Sequence, residues 1–143
     1  MKKFSFSMQK VLDLREFERK QAEADLGRAL AEENAIRQAV ELVAQQHVSA
    51  VAAADSMTDL HELYGVNQYF ALLAQRKEQL LRDLAQAQLV SEQKRAVMCE
   101  AMKKCKVLEQ LRESRLSAWK KERLSEEELA IDDIVTSRFG TSI

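Results

Sequence analysis

The sequence predicts an all-α protein that folds as a long antiparallel two-helix coiled-coil hairpin with an overhanging C-terminal helix. Three observations support this prediction. The 143-residue chain has no proline and only three glycines, so little in it interrupts a helix. Alanine, leucine, glutamate, glutamine, lysine and arginine dominate its composition, as is typical of long helices. Apolar side chains recur in steps of three and four along two separate stretches, which is the heptad pattern of coiled coils.

The more regular of these stretches lies in the second half of the chain. Residues 67–129 contain neither glycine nor proline, and at 1.5 Å per residue a helix over this range is on the order of 90 Å long. Nine of the twelve heptad seam positions from Phe70 to Leu108 are apolar, and the polar exceptions are Lys77, Ser91 and Lys94. Because no domain of this size encloses such a helix, it needs a partner helix along its seam. We expect this second helix at about 67–129.

The first helix is expected at about 7–54. Ser7 is the better of two candidate N-caps, because Met8 begins the apolar pattern. Eleven of the fifteen seam positions in this helix are apolar. The exceptions are Arg15, Arg19, Glu33 and His47. Gly27 falls off the seam and costs about 1 kcal/mol relative to alanine, which is too little to end a helix of this length.

The reversal between the helices is expected at about 55–66, where capping and turn residues concentrate. Asp55 to Asp59 offers capping oxygens, and Gly65 to Asn67 offers a second interruption. Folding there puts residue i opposite roughly residue 121 − i, so that seam faces seam along the first helix. Residues 114–129 of the second helix then overhang the first helix, and residues 130–143 form a frayed tail. The whole chain is expected to be one coiled-coil domain.

The composition argues against several classes of function. A formal net charge of −1 gives no general attraction to nucleic acid or anionic lipid. No apolar run approaches the ~20 residues of a membrane span, and a two-stranded coil encloses no catalytic cavity. Cys99 and Cys105 point in different directions from one helix, which favours reduced thiols, and His47 and His61 lack a second ligand at helical spacing. We therefore expect a cytoplasmic protein with no catalytic residue, metal or cofactor.

Aromatic residues concentrate at the two ends of the predicted hairpin. The open end carries Phe4, Phe6, Phe17, Trp119 and Phe139, and the reversal carries Tyr64, Tyr69 and Phe70. Aromatic side chains exposed at such tips are favoured interface anchors. The alternative is that those at the reversal only plug the apex of the hairpin, which fits Phe70 best because it lies on the seam.

Basic residues also concentrate at the open end. Residues 103–123 hold eight basic and three acidic side chains, and residues 1–20 hold six basic and three acidic ones. This excess indicates a surface complementary to a charged partner. The alternatives are an ordinary solvated helix face, or neutralisation by Glu126 to Glu128 and by Asp132-Asp133 folding back onto it.

The N-terminal residues carry a resemblance to a known family. The stretch from Phe4 to Glu16, which reads FSFSMQKVLDLRE, resembles the opening of the FliJ family, the small coiled-coil proteins of the flagellar type III export apparatus. The resemblance implies a cytoplasmic component, peripheral to the inner membrane, that links a hexameric export ATPase to the membrane export gate. It also implies a coiled coil similar to the central stalk of rotary ATPases, with export chaperones as further partners. A generic coiled-coil scaffold and the stalk protein of a virulence-type injectisome remain alternatives.

We assign the two ends of the hairpin to the two partners that this resemblance implies. The candidate ATPase-binding residues, at the open end, are Arg115, Trp119, Lys120, Lys121, Arg123, Leu14 and Phe17. The candidate gate-binding residues, at the apex, are Leu60, Leu63, Tyr64 and Tyr69. A single overhanging helix is thin enough to enter a ring, and its charges would complement the loops of that ring.

Overall fold

The computed structural model describes residues 2–140, and this part of the chain is all-α. Helix α1 (Gln9–Asp55) and helix α2 (Leu60–Gly140) follow each other along the chain. The two helices pack against each other. The structure is 92% helical, and no strand occurs among the described residues. The predicted all-α helical hairpin is therefore confirmed.

The reversal is shorter than the sequence predicts. Only residues 56–59 separate α1 from α2, because Asp59 caps the second helix. The backbone N–H of His61 donates to the Asp59 carboxylate at 3.1 Å, and the N–H of Leu63 donates to the Asp59 carbonyl at 3.1 Å. The predicted reversal at 55–66 is wrong in its second half. Gly65, which was expected to interrupt the chain, lies inside α2, and no described residue has a positive φ.

Helix α2 also extends beyond its predicted end at residue 129. It continues to Gly140, so the frayed tail predicted for residues 130–143 is wrong as far as residue 140, and residues 141–143 lie outside the described residues. The prediction was based on the position of these residues at the end of the chain, where fraying is common. Ending a helix needs a breaker, and none occurs between Gly65 and Gly140.

The chain enters α1 two residues later than predicted. The N–H of Gln9 donates to the Phe6 carbonyl at 3.1 Å, and the N–H of Leu12 donates to the Met8 carbonyl at 2.9 Å. The Ser7 hydroxyl instead accepts a hydrogen bond from Arg115 at 3.3 Å. Residues 2–8 therefore form a non-helical segment, which we call the lead-in, and the predicted Ser7 cap is replaced by a contact with α2.

Tertiary contacts divide the hairpin into two units. The terminal unit comprises Met1–Arg19 and Glu100–Ile143, and the central unit comprises Lys20–Cys99. In the terminal unit, the Arg112 side chain donates a hydrogen bond to the Gln9 side chain at 3.1 Å. The two residue numbers sum to 121, as the predicted antiparallel register requires. In the central unit, the ring centroids of His47 and Phe70 lie 5.1 Å apart. The residue numbers of this pair sum to 117, which differs from the predicted sum by four residues. Each unit is therefore antiparallel and close to the predicted alignment.

The heptad seam supplies the buried residues of both units except Phe6, which lies in the lead-in. Among the described seam positions of the sequence pattern, only His47 and Lys77 are exposed. The terminal core consists of Phe6, Leu12, Cys105 and Leu108, with Phe4, Met8 and Leu111 partly buried against it. The buried residues of the central unit are Ala22, Ala29, Val43, Leu73, Ala87 and Ser91.

Candidate partner-binding surfaces

The lead-in lies against α2 through aromatic rings and guanidinium groups. The rings of Phe4 and Trp119 have centroids 5.9 Å apart and an interplanar angle of 56°. The guanidinium of Arg112 lies 5.7 Å from the centroid of the Phe4 ring, and that of Arg115 lies 5.9 Å from the centroid of the Phe6 ring. We call these five residues the lead-in cluster. Each cation–π contact of this kind contributes about 0.5–1 kcal/mol at exposed sites, so several together hold the lead-in on α2.

Trp119 extends the lead-in cluster toward the C-terminus of α2. The Arg123 guanidinium lies 5.4 Å from the centroid of the Trp119 ring. Arg123 also pairs with Glu127, with 3.6 Å between Nε and Oε1. Trp119 is half-buried between Phe4 on one side and Arg123 on the other. Its orientation is therefore set from both sides.

The prediction that residues 114–129 lack cover is wrong for the first part of this range. Arg115 and Trp119 contact the lead-in, and Trp119 and Arg123 are half-buried. The physical reason is the geometry of residues 2–8. Extended chain advances about 3.3 Å per residue whereas a helix advances 1.5 Å, so a short non-helical segment covers a longer stretch of α2 than a continued α1 would.

Lys120 and Lys121 remain exposed, as a surface for a partner requires. Leu14 and Phe17 are also exposed. Counting heptad positions from Leu12 on the seam places both on the face of α1 that points away from α2. The seven candidate ATPase-binding residues therefore form two groups: Leu14 and Phe17 on α1, and the cationic and aromatic residues of α2.

The predicted gate-binding residues occupy the start of α2. Leu60 is 83% exposed and Tyr64 is 63% exposed, whereas Leu63 is half-buried. The Tyr64 hydroxyl accepts a hydrogen bond from Gln68 at 3.1 Å. Phe70 is half-buried, which agrees with its expected place on the seam. Leu60 and Tyr64 thus present an apolar surface at the apex, while Leu63 belongs partly to the packing of the hairpin.

Tyr69 belongs to a different surface of the central unit. It lines a shallow groove together with Leu42, Gln45, Gln46, Ser49 and Ala50 of α1. The α1 side of this groove was not predicted from the sequence. The predicted antiparallel register places residue 69 opposite about residue 52, so it already indicated that Tyr69 lies close to this part of α1.

A cluster of possible ligand atoms lies in the terminal core. One ligand atom each from Glu16, Cys105 and Glu109 lies within 4.8 Å of the others. The Cys105 thiol donates a hydrogen bond to Glu109 at 3.4 Å. Burial, and then this hydrogen bond, raises the pKa of the Cys105 thiol, while the nearby Arg19 lowers it. Because a metal needs the thiolate and Arg19 adds positive charge beside the group, the arrangement is better suited to an internal hydrogen bond than to a metal site.

A polar layer crosses the seam of the central unit. Arg37 donates to the Glu33 carboxylate at 2.7 Å, and this contact, followed by the hydroxyl of Ser91, holds the pKa of Glu33 below its ordinary value. Ser91 is 3% exposed. Its hydroxyl faces the carboxylate without reaching hydrogen-bond geometry. Such a layer, in the middle of an apolar seam, favours one register over its neighbours.

The chain was compared with known families and proteins. A family model described as "Flagellar FliJ protein" matches residues 4–142, which is nearly the whole sequence. Comparisons with curated proteins and with solved structures gave no match. Within residues 2–140, neither helix has a stretch long and apolar enough to cross a membrane. The match covers both helices and the N-terminal residues on which the resemblance was based, and the chain therefore belongs to the FliJ family and is a component of the flagellar protein export apparatus.

Proposed function

We propose that this protein is a non-enzymatic coupling component that binds the hexameric export ATPase through its terminal unit and the membrane export gate through its apex. The family supports a role in flagellar export. The observation that most supports the ATPase part of the proposal is the lead-in cluster, which fixes Trp119 beside the exposed Lys120 and Lys121. A cationic surface attached to an oriented aromatic ring combines steering with a contact that can be desolvated.

Lys120 and Lys121 are proposed to guide the encounter with the ATPase. Exposed charges at the rim of an interface act mainly on the association rate, and salt screens them over a Debye length of about 8 Å at physiological ionic strength. We therefore expect the double substitution Lys120→Glu with Lys121→Glu to slow association with the purified ATPase and to abolish the salt dependence of association. Stimulation of ATP hydrolysis should fall in parallel.

The chain offers a matched control for this experiment. Arg76 and Lys77 are also adjacent, basic and exposed on α2, but they lie in the central unit. Arg76→Glu with Lys77→Glu makes the same change in net charge and should leave association and stimulation near wild type. If association and stimulation fell equally in the two double variants, net charge alone would explain the effect. That result would overturn the assignment of the terminal unit to the ATPase.

Trp119 is proposed to act through contact with the ATPase as well as through the lead-in. Trp119→Ala should accelerate dissociation at every salt concentration, because the lost contact is apolar. Phe4→Ala removes the ring that packs against Trp119 but retains the indole side chain itself. A faster dissociation in Trp119→Ala than in Phe4→Ala supports a direct contact, whereas equal rates would mean that Trp119 only positions the lead-in. Leu14 and Phe17 are a second proposed contact, on the outer face of α1.

The apex is proposed to bind the cytoplasmic domain of an export-gate membrane protein. Leu60 and Tyr64 are exposed there without being needed for the seam, so Leu60→Ala with Tyr64→Ala should weaken gate binding and leave the melting temperature almost unchanged. Leu81→Ala with Leu89→Ala removes two exposed apolar side chains elsewhere on α2 and serves as the control. Normal gate binding by the apex variant would refute this part. Export chaperones are a further proposed class of partner, to be tested in the same assay.

A further inference from the structure

The last part of α2 has an apolar stripe that the hairpin does not cover. From Leu124 to Gly140 every described residue is exposed. Leu124, Ile131, Ile134 and Val135 are between 45% and 60% exposed. At 100° per residue these four side chains fall within about 100° of the helix circumference, so they share one face, which we call the C-terminal stripe. Glu127 is the one acidic side chain that falls within the same arc.

The lead-in reaches a different face of the same helix. Lys2 borders a groove on α2 that Trp119, Arg123, Glu127 and Ala130 also line. Residues at these spacings of three and four share one face of a helix. The two faces are neighbours, with centres roughly 80° apart, and Glu127 and Ile134 fall where they meet. Leu124, Ile131 and Val135 lie outside the face that the lead-in borders, so most of the stripe is open.

The need to form a helix does not explain why apolar residues occupy the stripe. Isoleucine and valine are among the weaker helix formers at exposed positions, and a single helix segment of this length is only marginally stable in water. Exposed apolar patches bordered by polar residues mark interaction sites. The stripe has the spacing of anchors that enter a groove from one face of a helix.

The charge around the stripe identifies what would cover it. Residues 124–137 include five acidic and no basic side chains. A second copy of the chain would bring acid against acid in either orientation: parallel pairing places Glu128 beside Glu128, and antiparallel pairing about residue 130 places Glu128 beside Asp132. Anionic membranes and nucleic acid would be repelled for the same reason. A groove bordered by lysine or arginine complements both features.

We propose that residues 124–137 form a docking helix, which inserts the C-terminal stripe into an apolar groove of a partner protein whose rim is basic. Residues 124–137 include none of the residues assigned to the ATPase or to the gate, so the docking helix is tested independently of those two assignments. The acidic side chains set the charge of the partner, and the stripe supplies the buried contact.

The test uses two synthetic amphipathic helical peptides as probes of the chemistry of the groove. One has leucine on one face and lysine on the other, and its twin has glutamate in place of lysine. Fluorescence anisotropy with the full-length chain should show binding of the leucine–lysine peptide and at least about tenfold weaker binding of its twin. Leu124→Gln with Ile131→Gln and Val135→Gln should weaken binding of the leucine–lysine peptide by about tenfold or more.

Two further variants separate charge from apolar contact. Glu128→Lys with Asp132→Lys leaves three acidic and two basic side chains in residues 124–137 and should reduce the preference for the leucine–lysine peptide over its twin. The control Leu81→Gln with Leu89→Gln and Val97→Gln removes the same number of exposed apolar side chains from the central unit and should leave binding within about twofold. Circular dichroism and the melting temperature confirm that each variant is folded.

Three results would overturn the proposal. Equal binding of the two peptides would show that charge does not select the partner. Sedimentation velocity that detects a dimer of the wild type, lost in the stripe variant, would make a second copy the occupant. Co-sedimentation with vesicles of phosphatidylcholine and phosphatidylglycerol, again lost in the stripe variant, would make a membrane surface the occupant.

Discussion

The terminal and central units fill the same heptad seam with side chains of different size. The terminal core buries Phe6, Leu12 and Leu108 around Cys105, whereas the buried residues of the central unit include Ala22, Ala29, Ala87 and Ser91. Complete burial of a leucine or phenylalanine contributes about 1.5–3 kcal/mol, and each buried methylene about 0.8 kcal/mol. Val43 and Leu73 are the larger buried side chains of the central unit. The terminal core thus gains more stability per buried residue on average.

The smaller seam residues of the central unit have a different consequence. Small side chains let two helices approach more closely, because the distance between helix axes depends on the side chains at the contact. The polar layer of Glu33, Arg37 and Ser91 lies in this unit. We infer that a buried residue of the terminal unit contributes more burial energy on average than one of the central unit, while the polar layer of the central unit contributes specificity of register.

The largest expected effect is at the centre of the terminal core. Leu12 is 3% exposed, and Leu12→Ala should lower the free energy of unfolding by about 2–5 kcal/mol, the cost of a buried leucine with its cavity. Urea denaturation followed by circular dichroism measures this change. Leu14→Ala, two residues away on the exposed face, should change it by less than about 0.5 kcal/mol. Similar losses in the two variants would contradict the core assigned here.

A smaller effect is expected when the close packing of the central unit is disturbed. Ala87→Leu places three extra carbon atoms at a buried seam position and should destabilise the protein by about 1–3 kcal/mol through overpacking. Ala85→Leu makes the same change at an exposed position of the same helix and should be nearly neutral. A central unit that accepted the larger side chain at position 87 without loss would have room at its seam, and the contrast between the units would disappear.

A still smaller change, of opposite sign, is expected at the helical glycines. Gly27 and Gly65 lie inside helices, have no positive φ, and have open space where a Cβ would lie. Gly27→Ala and Gly65→Ala should therefore each raise the free energy of unfolding by about 0.5–1 kcal/mol. Thermal melting of the single and double variants tests this, and additive gains are expected because the sites are far apart in sequence and in different helices. A loss in either variant would indicate that the glycine is needed.

The smallest effect is expected from Glu33, because its partner Arg37 is more than half exposed to solvent. The folded-state pKa of Glu33 lies below its ordinary value of 4.5. Its contribution is therefore complete above the unfolded-state pKa and is lost as the pH falls through the folded-state pKa. Glu33→Gln should make stability less dependent on pH in the range below about 4.5, whereas Glu32→Gln, at an exposed position, should leave the acid dependence as in the wild type.

Periodicity was enough to predict the two helices, their antiparallel register and nearly all of their buried residues. It failed where structure depends on something other than a repeat. The Asp59 cap starts α2 before Gly65, and a glycine in the middle of a long helix costs too little to stop it. Residues 130–140 keep their helical backbone although fraying was expected at the end of the chain, because no breaker precedes Gly140.

The candidate sites were predicted less completely for a related reason. Arg115, Trp119 and Arg123 were identified as candidates by residue type and position. Arg115 and Trp119 contact the lead-in, and Arg123 contacts Trp119. Residues 2–8 carry no heptad pattern, so these contacts could not be predicted from periodicity. The exposure of Leu60 and Tyr64 agrees with the expectation for the apex. The proposed binding of ATPase and gate depends on the surfaces of other proteins, which are not encoded in this chain.

The two cysteines have a consequence for how opening of the terminal unit can be observed. Cys99 is exposed, and Cys105, six residues further along α2, is 2% exposed within the terminal core. A soluble thiol reagent would label Cys99 directly, but it would reach Cys105 only during local unfolding. When reclosing is faster than labelling, the ratio of the two labelling rates, corrected for intrinsic reactivity, gives the free energy of that opening. The natural sequence thus contains a reporter and its internal reference on one helix, and a bound partner that closes the terminal unit would be detected as slower modification of Cys105 alone.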